Sequence, residues 1–337
     1  MNDSMSTTPT MAAPTAPPPS RRVLSRLVHA PLFGSTVALV VAIIVFTAIT
    51  PRFLTPGNVS LIFQQSVVIG ILAVAQTLII LTAGIDLSIG AIAVLGTIVL
   101  AQAAGSFGAV GALLITLIVC VALGTLNGAL VTGLRLPPFI VTLGAFTAIV
   151  AATRLFAGSQ TFPVSDPLLT FLGTTVNIGG FVTTYGVFAL VIVYLVVGYA
   201  LTQTAWGRHV YAVGGNPTAA QLSGVKVNRT LLSVYVIAGV IAMIAAWAAL
   251  GRIPNADPNA YQNANLETIT AVVIGGTSLF GGRGGVLGTL IGTLIVAVLR
   301  NGLTLAGVDN LYQNVATGIL VVVAVAVDQF MRRRNAR

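Results

Sequence analysis

Charge is scarce in this chain: Asp, Glu, Lys and Arg together make up 7% of its 337 residues. A soluble domain carries about 25%, so a water-facing globule is excluded. There is one cysteine, Cys120, inside an apolar run, which excludes a disulfide framework and a thiolate metal cluster. The two histidines, His29 and His209, stand beside arginines at the edges of apolar runs, where a solvated side chain is the default. No H-E-x-x-H, no G-x-S-x-G and no close pair of carboxylates occurs, so neither a catalytic site nor a metal site is expected. The phosphate loop G-x-x-x-x-G-K-[ST] is missing too. The nearest glycine-rich string, VVIGGTSLFGGRGGVLG at 272–288, has Arg283 as its one cation and reads as a tight hairpin between two spans. The net charge of +9 does not mark a nucleic-acid binder, because the cations sit at the ends of apolar runs and form no soluble patch.

What the chain has in excess is apolar length. Hydrophobic residues make up 56%, and the mean hydropathy is +0.99. Apolar runs fall at 32–50, 59–83, 87–104, 109–133, 139–157, 183–202, 231–251, 267–282, 285–304 and 311–330. The expected fold is all-α: a polytopic membrane protein of about ten transmembrane helices with both termini cytoplasmic. Arg21, Arg22 and Arg26 hold the N-terminus inside, which also puts Arg135, Arg208, Lys226, Arg229, Arg283 and the tail Arg332, Arg333, Arg334 and Arg337 inside. Arg52, Arg154, Arg252 and Arg300 fall at the outer ends. Residues 1–30 read as a disordered Pro-rich cytoplasmic tail, 31–331 as the transmembrane domain and 332–337 as a basic cytoplasmic tail. The first apolar run reads as an uncleaved signal anchor.

Thirty-six glycines would weaken soluble helices. In lipid they let helices approach closely, as at Gly124-x-x-x-Gly128 and Gly288-x-x-x-Gly292. The strings GTLNGALVTGLR (124–135) and GTLIGTLIVAVLR (288–300) run in opposite senses across the membrane. They read either as a trace of inverted repeats, which suit alternating access, or as chance likeness between Gly/Leu-rich helices.

One long polar interruption stands out at 203–229. Within it, NPTAAQLSG carries the punctuation of a short helix: Asn216 as cap, Pro217 in the first turn and Gly224 as terminator. A chain built for lipid has no packing reason to hang such a helix in water, so contact with another protein is its expected purpose. Two further strings mark helix junctions. In TAGIDLSIG (82–90), Gly84 is placed to end one helix while Asp86 or Ser88 caps the next. Asp86 is then either an N-cap at the inner face or a carboxylate at a helix break near a pathway. In LRLPPFIVTLG (134–144) the proline pair stops one helix and starts another, and Phe139 and Thr142 either line a pathway or pack. Gln76, Asn127, Asn301, Gln313 and Asn314 are neutral amides in or beside spans, either helix glue or pathway lining. As lining they suit a polyol better than an ion.

The strings TAGIDLSIG, LPPFIVTLG, YAVGGNPTAAQLSGV and AVVIGGTSLFGG occur in that order. Together they resemble the permease subunit of bacterial ABC sugar importers, the ribose/xylose/arabinose/galactoside permease family, over residues 33–330. The resemblance implies a multi-pass protein of the bacterial inner membrane that translocates a monosaccharide, a ribose-type pentose or a hexose. It implies a second permease copy, a cytoplasmic ATP-binding subunit that uses ATP and magnesium, and a periplasmic or lipid-anchored sugar-binding protein. The chain itself would bind no cofactor. It implies that Gly215, Asn216, Ala219, Ala220 and Gly224 dock on the ATPase, and that Gly84, Asp86, Leu87 and Ser88 form the characteristic helix junction. Gly84, Asp86, Ser88, Asn127, Phe139, Thr142 and Asn301 are then the expected junction and pathway residues. The chain departs from the pattern E-L-D-A-I-A-A at Asn265–Ala271, losing an acid at Asn265 and keeping one at Glu267, on the outer-face contact with binding protein or substrate. The competing reading is an ion-coupled secondary transporter of a small polar solute. It would need buried carboxylates, for which only Asp86 and Glu267 qualify.

Overall fold

The computed structural model describes residues 32–335. The Pro-rich segment at 1–30, with Arg21, Arg22, Arg26 and His29, lies outside the described residues, as do Arg337 and the side chains of Arg332 to Arg334. The chain is mostly helical: α1 (Phe33–Ile49), α2 (Pro56–Leu81), α3 (Ile89–Gly133), α4 (Pro138–Phe156), α5 (Tyr185–Gln203), α6 (Ala205–Gly215), α7 (Pro217–Leu222), α8 (Val227–Arg252), α9 (Ala264–Ile274), α10 (Val286–Leu305) and α11 (Asn310–Asn335). Among the described residues, α2, α3, α4, α5, α8 and α10 are long and apolar enough to cross a membrane, while α1 and α9 are shorter apolar helices. The chain is a multi-pass membrane protein. The all-α expectation is corrected in one respect. Two small antiparallel ribbons pair β1 (Phe162–Pro163) with β4 (Asn255–Ala256) and β2 (Thr175–Ile178) with β3 (Phe181–Thr184), satisfying backbone groups of the long connections.

The expected spans 87–104 and 109–133 are the two arms of α3, which turns at Gly108, whose φ is 69°. Cys120 Sγ lies 3.8 Å from the Ile92 carbonyl, and Asn127 Nδ2 donates to Ser88 Oγ at 2.8 Å. Residues on either side of Gly108 therefore face one another, and the arms are antiparallel. Both run along α8, and small residues set the distance. A Cβ on Gly124 would stand 2.5 Å from the Tyr235 carbonyl, so only glycine permits this approach. The other predicted motif works alike: Gly288 and Gly292 press on the backbone of Gly275 and Ala271.

Helix α2 is the centre of the bundle, and every residue from Ser66 to Leu81 is buried. Its polar groups are matched inside: Thr77 Oγ1 and Thr289 Oγ1 lie 2.6 Å apart, and the Gly70 carbonyl accepts from Tyr194 Oη at 3.1 Å. In hydrocarbon an unmatched polar group would cost several kcal/mol, so these pairs also fix which helices surround α2.

Two elements start inside the bundle instead of at its end. Segment 82–88 leaves α2 and turns back inward. The Gln76 carboxamide, assigned by its hydrogen bonds, donates to the Asp86 carbonyl (3.0 Å) and accepts from the Asp86 N–H (3.3 Å). Gln76 lies five residues before the end of α2, about 8 Å along its axis. The first turn of α3 then meets the first turn of α9, where the Gly90 N–H donates to Asn265 Oδ1 at 2.9 Å. The expected span 267–282 is corrected: the helix ends at Ile274, and residues 275–285 form a loop with positive φ at Gly276, Gly281, Gly282 and Gly284. With eleven residues, α9 extends only about 17 Å, roughly half a bilayer core.

Candidate functional site

The polar segment 203–229 folds as its punctuation predicts. Thr204 Oγ1 caps α6 by accepting from the Gly207 N–H (3.2 Å). Asn216 Oδ1 caps α7 by accepting from the Ala219 N–H (3.0 Å), and Pro217 fills the first position of that helix. Gly224, with φ 85°, ends it. Gly215, Asn216, Ala219 and Gly224 are exposed, whereas Ala220 is buried at 5% exposure. The face offered to solvent also includes Leu222, 85% exposed, which the sequence reading passed over. Its signal was there: an isolated large apolar residue in a polar loop.

Behind α7, the segment is fastened to the bundle by backbone contacts. The Leu81 carbonyl accepts from the Gly282 N–H at 2.9 Å and lies against Gly214. Tyr211 Oη donates to the Gly284 carbonyl (2.9 Å), and burial raises the pKa of this phenol, keeping it a neutral donor. Segment 203–229, the glycine loop and the end of α2 thus meet at one end of the molecule. At the opposite end lie both ribbons and the segments that Trp247 and Arg252 tie down through the carbonyls of Leu168 and Gln65.

The junction residues gather above that joint. Asp86 is fully buried; its Oδ1 accepts from the Ser88 N–H (2.6 Å) and Ser88 Oγ (2.7 Å), and Asn127 closes the chain through Ser88 Oγ. Thr142 Oγ1 donates to the Ile85 carbonyl (3.0 Å), which hangs α4 on the same segment. The left-handed residue at the end of α2 is Ala83, with φ 62°, and not Gly84. Gly84 instead packs closely: a Cβ there would stand 3.1 Å from Ile79 Cγ2. Gly84, Asp86, Ser88, Asn127 and Thr142 are therefore brought together. Phe139 turns outward and is half exposed. Asn301 lies elsewhere, in a reciprocal amide pair with Asn58 (2.9 and 3.0 Å) that ties α10 to the start of α2. Glu267 forms an ion pair with Arg300 at 2.6 Å. Gln313 and Asn314 act as glue, reaching the Val308 carbonyl and Asn263. Among the described residues no three His, Cys, Asp or Glu side chains group as a metal site.

An exposed, capped short helix is thus joined by backbone contacts to a helix break in a membrane bundle. A family model described as "Branched-chain amino acid transport system / permease component" matches residues 58–325. The chain belongs to this permease family. It is 43% identical to a fructose import permease protein of Rhizobium meliloti, across 93% of this chain and 90% of that one. It is 38% identical to a ribose import permease protein of Escherichia coli K12 (87% and 92%) and 34% identical to a D-allose transport system permease protein of the same strain (89% and 92%). No solved structure matches.

Proposed function

We propose that this chain is the membrane-spanning subunit of an ATP-binding-cassette importer that carries a monosaccharide of the fructose or ribose kind across a bacterial inner membrane. The observation that carries the reading is its similarity, over nine-tenths of its length, to a permease named for fructose import. Two permease copies, two cytoplasmic ATPase subunits and a periplasmic or lipid-anchored binding protein make up the machine, and ATP and magnesium belong to the ATPase. Ten crossings with both termini inside put segment 203–229 in the cytoplasm, with α1, α9 with its glycine loop, and α11 as three of the crossings and the two arms of α3 as two more.

The exposed face of α7 (Gly215, Asn216, Ala219, Leu222 and Gly224) docks on the ATPase. ATP-driven closure of the ATPase pair moves α6 and α7 as a body, and the backbone joint at Leu81 passes the movement to α2 and segment 82–88. The Asp86–Ser88–Asn127 network keeps that segment intact while it shifts. The chain in proteoliposomes, with its ATPase and loaded binding protein, is expected to take up labelled fructose or ribose only with ATP. Uptake that persists without ATP and collapses with the proton gradient would overturn this reading in favour of an ion-coupled transporter.

A further inference from the structure

A cavity of about 260 Å³ opens where the two interrupted helices begin, between Ala91 and Val94 of α3, the far half of α4 and the connection 258–263. Irregular backbone at membrane depth is tolerated where it is buried in protein or lines a cavity, and here the starts of α3 and α9 both contribute to the wall of one. The wall carries the side chains that a small polar ligand needs. Asn265 is 7% exposed; its oxygen accepts from the Gly90 N–H, and its NH2 group donates to nothing among the described residues and faces the cavity. Gln262, the Tyr261 hydroxyl and the Arg154 guanidinium line the same space, and none has a hydrogen-bond partner among the described residues. Phe146 adds an aromatic ring.

We infer that this cavity is the sugar-recognition site of the permease itself, with the Asn265 NH2 and Tyr261 hydroxyl as its specificity-determining donors; the inference rests on the transport reading above. Four donors facing one small space suit the oxygens of a polyol, and an aromatic ring suits its C–H face. The chemistry also discriminates. No carboxylate lines the cavity to pair the ammonium of an amino acid: Arg154 carries the charge there, while Glu267 is held by Arg300. Burial raises the Tyr261 pKa, so its hydroxyl stays a neutral donor. The departure at Asn265 noted in the sequence thus falls on the wall of the site.

The test uses the assembled importer in proteoliposomes, with labelled fructose, ribose and leucine as probes. Asn265→Asp keeps an acceptor for Gly90 and removes the NH2 donor; Tyr261→Phe removes only a hydroxyl. Each is expected to lower the sugar moved per ATP hydrolysed about tenfold, the size of one lost hydrogen bond to substrate. Sugar moved per ATP at the wild-type value in both variants overturns the site while leaving the transport reading standing. Wild-type uptake of leucine and of neither sugar overturns both. As an independent measure, Gln262→Cys is labelled with a hydrophilic maleimide, Cys120 being fully buried. Slower labelling with millimolar sugar is expected, and an unchanged rate overturns the site.

Discussion

Gly214 lies so close to Leu81 that a Cβ built on it would stand 1.7 Å from the Leu81 carbonyl oxygen. The same oxygen accepts from the Gly282 N–H. Three segments that are 81, 214 and 282 residues into the chain thus meet backbone to backbone, with no flexible side chain between them. Close backbone packing of this kind leaves little room for one of the three segments to shift without the others.

Gly214→Ala therefore forces the joint apart. Overpacking of a tight site costs about 1–3 kcal/mol, and here the obstacle is backbone, which cannot swing aside. The variant is expected to reach the membrane and to show a lowered melting temperature in detergent. ATP turnover by the importer assembled with it should lose most of its response to loaded binding protein. A variant with wild-type melting and wild-type stimulation would remove this joint from the coupling path.

The exposed face of α7 makes a separable prediction. Leu222→Glu and Ala219→Glu put a charge on the outward surface, where substitutions cost the fold little, about 0.5 kcal/mol or less. Both should abolish stimulated ATP turnover and co-purification with the ATPase while melting stays near wild type. Ala220→Glu buries its charge and should lower melting as well. If all three behave alike, the outward face has no special role.

How much of this was readable in advance depended on distance along the chain. Asn216, Pro217 and Gly224 act within nine residues, and local backbone chemistry alone places them correctly. The depth of Asp86 was not readable, because it is set by Gln76 on one side and Asn127 on the other. Asn301 looked like a pathway amide; its partner is Asn58, 243 positions away, and no local pattern announces that pairing. Gly84 is the residue that the sequence marks as able to end α2, and its N–H does bond the Ile79 carbonyl there (3.0 Å). The left-handed conformation falls one residue earlier, on Ala83, and Gly84 packs against Ile79 and Pro138. Hydropathy ran through 267–282 without a break, yet Ile274 ends the helix, since Gly275 and Gly276 allow the turn and the loop then binds Leu81.

Asp86 offers a direct contrast between the two transport classes. Its oxygen serves as acceptor for the N–H and hydroxyl of Ser88. An asparagine oxygen can accept the same two bonds, so Asp86→Asn should retain ATP-dependent sugar uptake within about threefold. Asp86→Ala leaves two buried donors unmatched, which costs about 1–3 kcal/mol for each, and should reduce the chain recovered in the membrane. Loss of all uptake in the asparagine variant, together with sensitivity to a protonophore, would mark a proton-carrying carboxylate and the competing ion-coupled mechanism.

The ion pair of Glu267 and Arg300 carries the last prediction, and it is asymmetric. The glutamate side chain is 7% exposed and the arginine side chain 50%. Arg300→Met leaves a buried carboxylate without its cation. Removing one partner so that the other stays buried and unmatched costs about 1–3 kcal/mol, more for a charged group. Glu267→Gln leaves an arginine that already reaches solvent and can be hydrated, so its cost should be less than about 1 kcal/mol. Arg300→Met should therefore lower the melting temperature clearly more than Glu267→Gln, and the double variant should recover part of the loss, because no buried charge remains. Thermal denaturation of the four forms in detergent reads this directly. Equal losses from the two single variants would mean that the pair is solvated on both sides, and that α9 is not held to α10 through a buried charge.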